Sequence, residues 1–306
     1  MKRTFCYAAA FAAAILLGTS SAALAHAVCG NRVFPATLTM DDPGVGNELS
    51  LPTIQYLPIP ATGGNPAGHS VDYGFEWDKT ITEDLGVAIN DDYFTQHGGA
   101  QNLHGWNNLS VTLKDELPCN DTHELLASVG VIRNFARTGS SQLINAGQIG
   151  NVSFTAPTLY VGKGLGDLPI GYARPLALTG ELSRQFTDTP AVSADVWAYS
   201  ASLQYSMPYL QQHVKALNLP VFMGRLIPIV EVALSNPDRG ANTGTIAPGV
   251  LYEADTWQVG AEVLIPATHA SRQAQGTGFI VQLHFFLDDI FPNSLGAPLI
   301  NRNLWQ

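Results

Sequence analysis

Trp197-Ala198-Tyr199-Ser200-Ala201-Ser202-Leu203-Gln204-Tyr205-Ser206-Met207 is the stretch that decides the fold. Tyr199, Ala201, Leu203, Tyr205 and Met207 alternate with Ser200, Ser202, Gln204 and Ser206. Successive side chains of a β-strand point to opposite faces, so this segment has one apolar, aromatic face and one small, polar face.

The same period recurs outward from it. Val71, Tyr73, Phe75 and Trp77 alternate with Asp72, Gly74, Glu76 and Asp78, and Leu109, Val111 and Leu113 with Ser110, Thr112 and Lys114. Leu176, Leu178 and Leu182 alternate with Ala177, Thr179, Glu181 and Ser183, and Val230, Val232 and Leu234 with Glu231, Ala233 and Ser235. Trp257, Val259, Ala261, Val263 and Ile265 face away from Gln258, Gly260 and Glu262; Phe279, Val281, Leu283 and Phe285 face away from Gln282 and His284. Weaker strands are expected near 48–58, 85–94, 122–136, 149–163 and 245–254. Only Tyr209 to Leu217 carries a helical period. Turn-forming connectors such as Thr82 to Gly86, Asn236 to Gly240 and Glu253 to Thr256 separate the runs.

Many short strands divided by turns read as an all-β sandwich or barrel. Two features favour a membrane barrel. The charged fraction is 13%, against about a quarter in soluble domains. Tyr73, Trp77, Trp197, Tyr205, Trp257 and Phe285 sit toward strand ends on the apolar face, as the aromatic girdles of an outer-membrane barrel do. The expectation is an antiparallel up-and-down transmembrane β-barrel of twelve strands, or ten if the opening strand fails at Pro52. The soluble periplasmic or secreted β-sandwich that binds a ligand is the alternative.

The amino terminus supports export. Lys2 and Arg3 precede an apolar run from Phe5 to Leu17, and small residues lead to Ala23-Leu24-Ala25. That is the pattern of a secretory signal peptide cleaved after Ala25. Removing 25 of the 306 residues leaves 281, with 13 Lys plus Arg against 25 Asp plus Glu. A chain this acidic has no basic groove for nucleic acid. Cys6 leaves with the signal; Cys29 and Cys119 are expected to pair in an oxidising compartment. A metal site formed by the same cysteines with His26 and His123 is the sharper alternative.

The expected order is a signal peptide at 1–25, a periplasmic segment or plug at 26–47, the barrel at 48–288 and a tail at 289–306. Alternating the connectors gives two sides. One collects 60–70, 94–105, 137–147, 187–191, 236–244 and 268–276, mostly longer and rich in Gly or Asn. The other collects 82–86, 118–123, 164–173, 207–220 and 254–256, and both termini. Cys29 and Cys119 then share the periplasmic side.

The chain resembles Gram-negative outer-membrane channel-like barrels, especially transporters grouped with the phenol-degradation MetA-pathway type. The resemblance rests on the signal ending Ala23-Leu24-Ala25, on Pro157 to Gly164 and on the amphipathic strand Gly278 to Phe286. It implies an outer-membrane location, outer-membrane lipids and the barrel assembly machinery as partners, and a small solute as cargo, with no cofactor. One departure is the tail to Trp305-Gln306 after the last strand, where such barrels usually end on an aromatic residue.

With apolar residues facing lipid, Asp72, Glu76, Lys114, Glu181, Gln204, Glu231, Glu262 and His284 would line the lumen. Rings of carboxylates favour cations in a pore. A passive channel for small solutes, cation-preferring, is therefore the expected function; side chains sealing a narrow barrel are the plainer reading of the same residues. No Walker spacing follows Gly162-Lys163-Gly164, and no Gly-x-Ser-x-Gly or His-Glu-x-x-His occurs. No enzyme is expected; a hydrolase using His284 with Ser202 or Ser206 is the third reading. His69, His97, His104 and His269 are expected in extracellular loops.

Overall fold

The computed structural model describes residues 27–300. The signal-peptide expectation, His26 and Trp305-Gln306 lie outside the described residues. A short hairpin, β1 (Ala27–Cys29) and β2 (Arg32–Phe34), precedes the main sheet. That sheet holds β3 (Glu48–Ile59), β4 (Gly68–Thr80), β5 (Leu85–His97), β6 (Leu103–Trp106), β7 (Ser110–Glu116), β8 (Leu125–Asn134) and β9 (Phe154–Gly164). It continues through β10 (Leu176–Thr187), β11 (Val196–Tyr205), β12 (Leu226–Pro237), β13 (Thr243–Glu253), β14 (Trp257–Pro266) and β15 (Gly278–Phe286).

Every neighbouring pair is antiparallel, and β15 pairs with β3, so the sheet closes. β6 and β7 both pair with β5 and act as one interrupted strand, which makes a 12-strand barrel. Closure leaves no unpaired edge, the only form in which a sheet crosses a bilayer. It also excludes the β-sandwich. Pro52, which threatened the opening strand, lies within the register shift between Ser50 and Thr53, where an absent N–H costs no ladder bond.

The outer face is the one the alternation marked. Leu203 is 45% exposed, and Leu159, Leu178, Leu182, Val230, Val263 and Phe279 are likewise exposed without a protein partner layer. Trp77 and Trp257 stand at one end of this belt, and Phe186 and Trp197 at the other. The connectors also fall as expected: 60–67, 98–102, 135–153, 188–195, 238–242 and 267–277 share one end. The helical period at Tyr209 is real but starts earlier, with Met207–Tyr209 running into Leu210–Val214.

The inner face departs from the simple rule. Ile227, Ile229, Ala247, Leu251, Leu264 and Ile280 point inward and form a buried apolar cluster with Leu38. Period two assigns a face but not a direction, so inward apolar residues read in sequence like lipid-facing ones. Ser202, on the polar face of β11, is also packed. It is 2% exposed, shares a 2.6 Å hydrogen bond with Thr179 and sits opposite Glu231.

Candidate functional site: a lumen with an internal plug

The segment between β2 and β3 runs inside the barrel. Its entrance is fixed at the end that carries both described termini. A disulfide joins Cys29 to Cys119, whose Cα atoms are 5.8 Å apart. Next to it Arg32 is buried: Nε donates to Glu124 Oε2 at 3.2 Å, Nη1 to the Pro175 carbonyl at 3.1 Å, and the guanidinium stacks on Tyr209 at 3.9 Å. Tyr209 donates to Glu124 Oε1 at 2.7 Å. Burial, reinforced by Glu124, pushes the Tyr209 phenol up to about 12, so it remains a donor at neutral pH. A buried charge keeps its place only when paired and hydrogen-bonded, and here Arg32 with its partners bolts the hairpin to three connectors.

Beyond this anchor residues 35–47 turn within the lumen. Gln258 Nε2 donates to the Ala36 carbonyl at 2.7 Å. Leu38 enters the apolar cluster, and the Thr37 hydroxyl closes a tight turn on the Met40 carbonyl at 2.6 Å. Glu231 holds the tip: its carboxylate accepts from Leu38 N at 3.0 Å, from Thr39 N at 2.7 Å and from the Thr39 hydroxyl. Glu262 lies against Glu231 across β13. Gly249 makes room for it, because a Cβ there would come within 2.5 Å of Glu262 Cγ. On the opposite wall Lys114 pairs with Asp41 at 2.7 Å and donates to the carbonyls of Asp42 at 3.0 Å and Gly44 at 3.1 Å. Glu181 accepts from Asp41 N at 3.4 Å, and Glu116 from Val45 N at 2.9 Å.

The eight residues expected in the lumen divide by what they contact. Lys114, Glu181 and Glu231 contact the plug, and Glu262 supports Glu231. Gln204 is fully buried on the inner wall. Asp72 and Glu76 line a cavity of about 1180 Å³ that runs from the longer connectors, at Thr62, Asn65, Ala100, Gln148 and Gln275, down to Thr37–Asp41. Asp41, Asp72, Glu76 and Asp92 lie along it, and no Lys, Arg or His does among the described residues. A second cavity of about 40 Å³ continues beside the plug, lined by Asp42, Glu48, Asp78, Lys114 and His284. The two cavities share Thr37, Met40, Asp41, Glu76 and Gln282, so the plug and the wall of β3, β4 and β15 form a constriction between them.

His284 does not meet Ser202 or Ser206. Ser202 is engaged by Thr179, and Ser206 caps Tyr209 N at 3.1 Å. Instead His284 Nδ1 lies 2.8 Å from Ser50 Oγ, and Nε2 lies 3.1 Å from Glu48 Oε2. This Ser-His-Glu set borders the 40 Å³ cavity, which has room for about a water or two and none for an acyl substrate. Of the histidines expected in loops, His269 does lie in the connector between β14 and β15, and the other three are placed in strands. His69, His97 and His104 end strands β4, β5 and β6, and His69 and His97 face each other with ring centroids 5.5 Å apart. The cysteine metal reading is replaced by the disulfide, and His123 pairs with Asp167 at 3.1 Å.

Sequence reasoning missed Asp92, Asn107 and Gln282, which face the large cavity. In Asn90-Asp91-Asp92 a polar residue occupies every position, so the alternation that would orient them is hidden.

No family model and no curated protein matches the chain. Among solved structures it is similar to the COG4313 outer membrane channel from Pseudomonas putida F1, with a TM-score of 0.51 at 13% identity, over 83% of this chain and 98% of that one. The KdgM porin gives 0.47 at 12% identity, over 77% of this chain and 98% of that one. LpxR from Salmonella typhimurium gives 0.41 at 9% identity, over 77% of this chain and 99% of that one. At these identities the likeness is one of fold: this chain shares a closed transmembrane β-barrel with an outer-membrane channel.

Proposed function

We propose that this protein is a passive outer-membrane channel for small solutes, prefers cations, and carries its own plug. The observation that supports this reading is the cavity of about 1180 Å³ that descends through the lumen to the plug tip. A barrel sealed by side chains alone would have no such space. Its carboxylates outnumber the one basic group that touches them, Lys114 on Asp41, and raise the local concentration of cations between low-dielectric walls. At the constriction Glu76 on the wall adds a carboxylate beside Asp41 on the plug, whose charge Lys114 balances. Small movements of the plug tip would widen that gap while the disulfide and the Arg32 anchor keep the segment attached.

On this reading residues 1–25 export the chain, the assembly machinery inserts it, and outer-membrane lipids contact the apolar belt. The longer connectors face outward from the cell, and residues 26–47 and the tail belong to the periplasmic end. Asp72 and Glu76 line the path; Lys114, Glu181, Glu231 and Glu262 hold the plug. No enzymatic step is assigned to it.

Swelling of proteoliposomes tests the proposal. Uptake of small amines and neutral sugars, with carboxylates slower at equal size, is the expected order. Folded, inserted protein that admits none of them would overturn it.

A further inference from the structure

The large cavity carries a patch whose uncommitted polar atoms are chiefly acceptors. One row crosses the wall from Gln282 on β15 to Thr53 on β3, Gly74 on β4 and Asp92 on β5. The row above it brings Gln55 and Asp72 together, and Gln55 Nε2 donates to Asp72 Oδ2 at 3.3 Å. Asp72 and Asp92 meet across β4 and β5. Asn107 commits its amide N–H₂ to Asp92 Oδ2 and its backbone N–H to the Asp92 carbonyl at 2.8 Å. Gln282 commits Nε2 to the Thr53 hydroxyl at 3.2 Å.

These commitments leave Asn107 Oδ1 and Gln282 Oε1 buried with no donor among the described residues. Gln282 is only 8% exposed, yet it lines the cavity. A buried acceptor without a donor costs free energy, and two beside a pair of carboxylates call for the same partner, a cation rich in N–H groups. Thr53 and Gly74 are the small members of the row and leave a recess between the two ends. From β15 to the gap between β4 and β5 is two to three strand spacings, about 12 Å, which the lengths of the Gln282, Asp72 and Asp92 side chains shorten.

We propose that this recess is a binding site for a small primary diamine, placed just above the constriction. One ammonium sits between Asp72 and Asp92 and also donates to Asn107 Oδ1. The second amino group reaches Gln282 Oε1 across Gly74. A divalent metal fits less well. Among the described residues no third His, Cys, Asp or Glu joins Asp72 and Asp92 at metal-ligand distance, whereas hard cations gather six or more oxygens. The proposal rests on the channel reading for the route by which the diamine arrives, but not for the site itself.

The test is calorimetric titration of the folded full chain in detergent with butane-1,4-diamine, butylammonium, tetramethylammonium and calcium chloride as separate probes. The expected order is diamine over butylammonium over tetramethylammonium, which has charge but no N–H donor. Asp72→Asn with Asp92→Asn should weaken diamine binding at least 30-fold. Gln282→Met should weaken the diamine about fivefold and leave butylammonium unchanged, a split that general loosening of the wall would not produce. Unchanged diamine affinity in the double variant, equal weakening of both amines by Gln282→Met, or preference for calcium would overturn the site. Conductance of the same protein separates the two claims. Binding without conductance refutes the channel and keeps the site; conductance without binding does the reverse.

Discussion

Replacing Glu231 by Gln should loosen the plug without disturbing the barrel. The wild-type carboxylate receives three donors from Leu38 and Thr39, two of them backbone N–H groups at 3.0 and 2.7 Å. The amide that replaces it would offer one acceptor oxygen and turn an N–H₂ toward the remaining donors. Hydrogen bonds to a charged acceptor contribute roughly 1.5–3 kcal/mol each. With its oxygen at the Oε2 position the amide keeps both Thr39 donors and loses Leu38 N–H, and that loss, together with an N–H₂ facing an N–H, weakens the tip by about 3 kcal/mol, or roughly two decades in population. Leu38 remains in its cluster with Ile227, Leu251 and Ile280, and burial of a leucine supplies about 1.5–3 kcal/mol. The tip is therefore displaced more often but not expelled. In planar bilayers at low protein density, the fraction of time in the high-conductance state should rise about 100-fold. The slower mobility of the boiled protein on a denaturing gel confirms that the variant is folded. Folded E231Q with wild-type occupancy would refute the idea that this carboxylate holds the plug.

Leu203→Asp places a charge on the lipid face of β11 and should cost about 2–4 kcal/mol near the bilayer centre or block assembly, read as a lower urea midpoint or loss of the heat-dependent mobility shift. Cys29→Ser with Cys119→Ser removes a link closing a separation of 90 residues, worth roughly 4–5 kcal/mol in the chain-entropy treatment; the thermal midpoint should fall, and proteolysis should release the β1–β2 hairpin first. Asp288, just past β15, is raised by burial to about 6 despite two hydrogen bonds from Asn47. Its folded state holds the proton more tightly than the unfolded one, so its contribution is full below about pH 4 and is lost as pH rises to about 6. Asp288→Asn should flatten that part of the stability–pH curve, and an unchanged slope would contradict the assignment.

The wall of this protein was legible because a barrel strand repeats one rule. Leu203 and Val263 face lipid, and each neighbour along the chain faces in. Turn chemistry then placed the connectors, and their parity alone put Cys29 on the same side as Cys119. Three things resisted. Ile227, Leu251 and Ile280 alternate as lipid-facing residues do, and only the plug explains their inward burial. Residues 35–47 have no period, since their structure comes from contacts such as Leu38 with Glu231, 193 positions away. Asp92, Asn107 and Gln282 join through rows across three or more strands, and register is set by the closed sheet rather than by any one segment. Asp72, Glu76, Glu181, Glu231 and Glu262 were therefore readable from the alternation, while Asp92 and the division into plug holders and cavity lining were not.

Conductance of the purified, folded chain across a planar bilayer under a salt gradient tests the central claim most directly. Discrete steps with a reversal potential displaced toward that of the cation are predicted. Steps with an anion-directed potential would contradict the acidic path, and a silent barrel that still shows the heat-dependent mobility shift would contradict the channel itself.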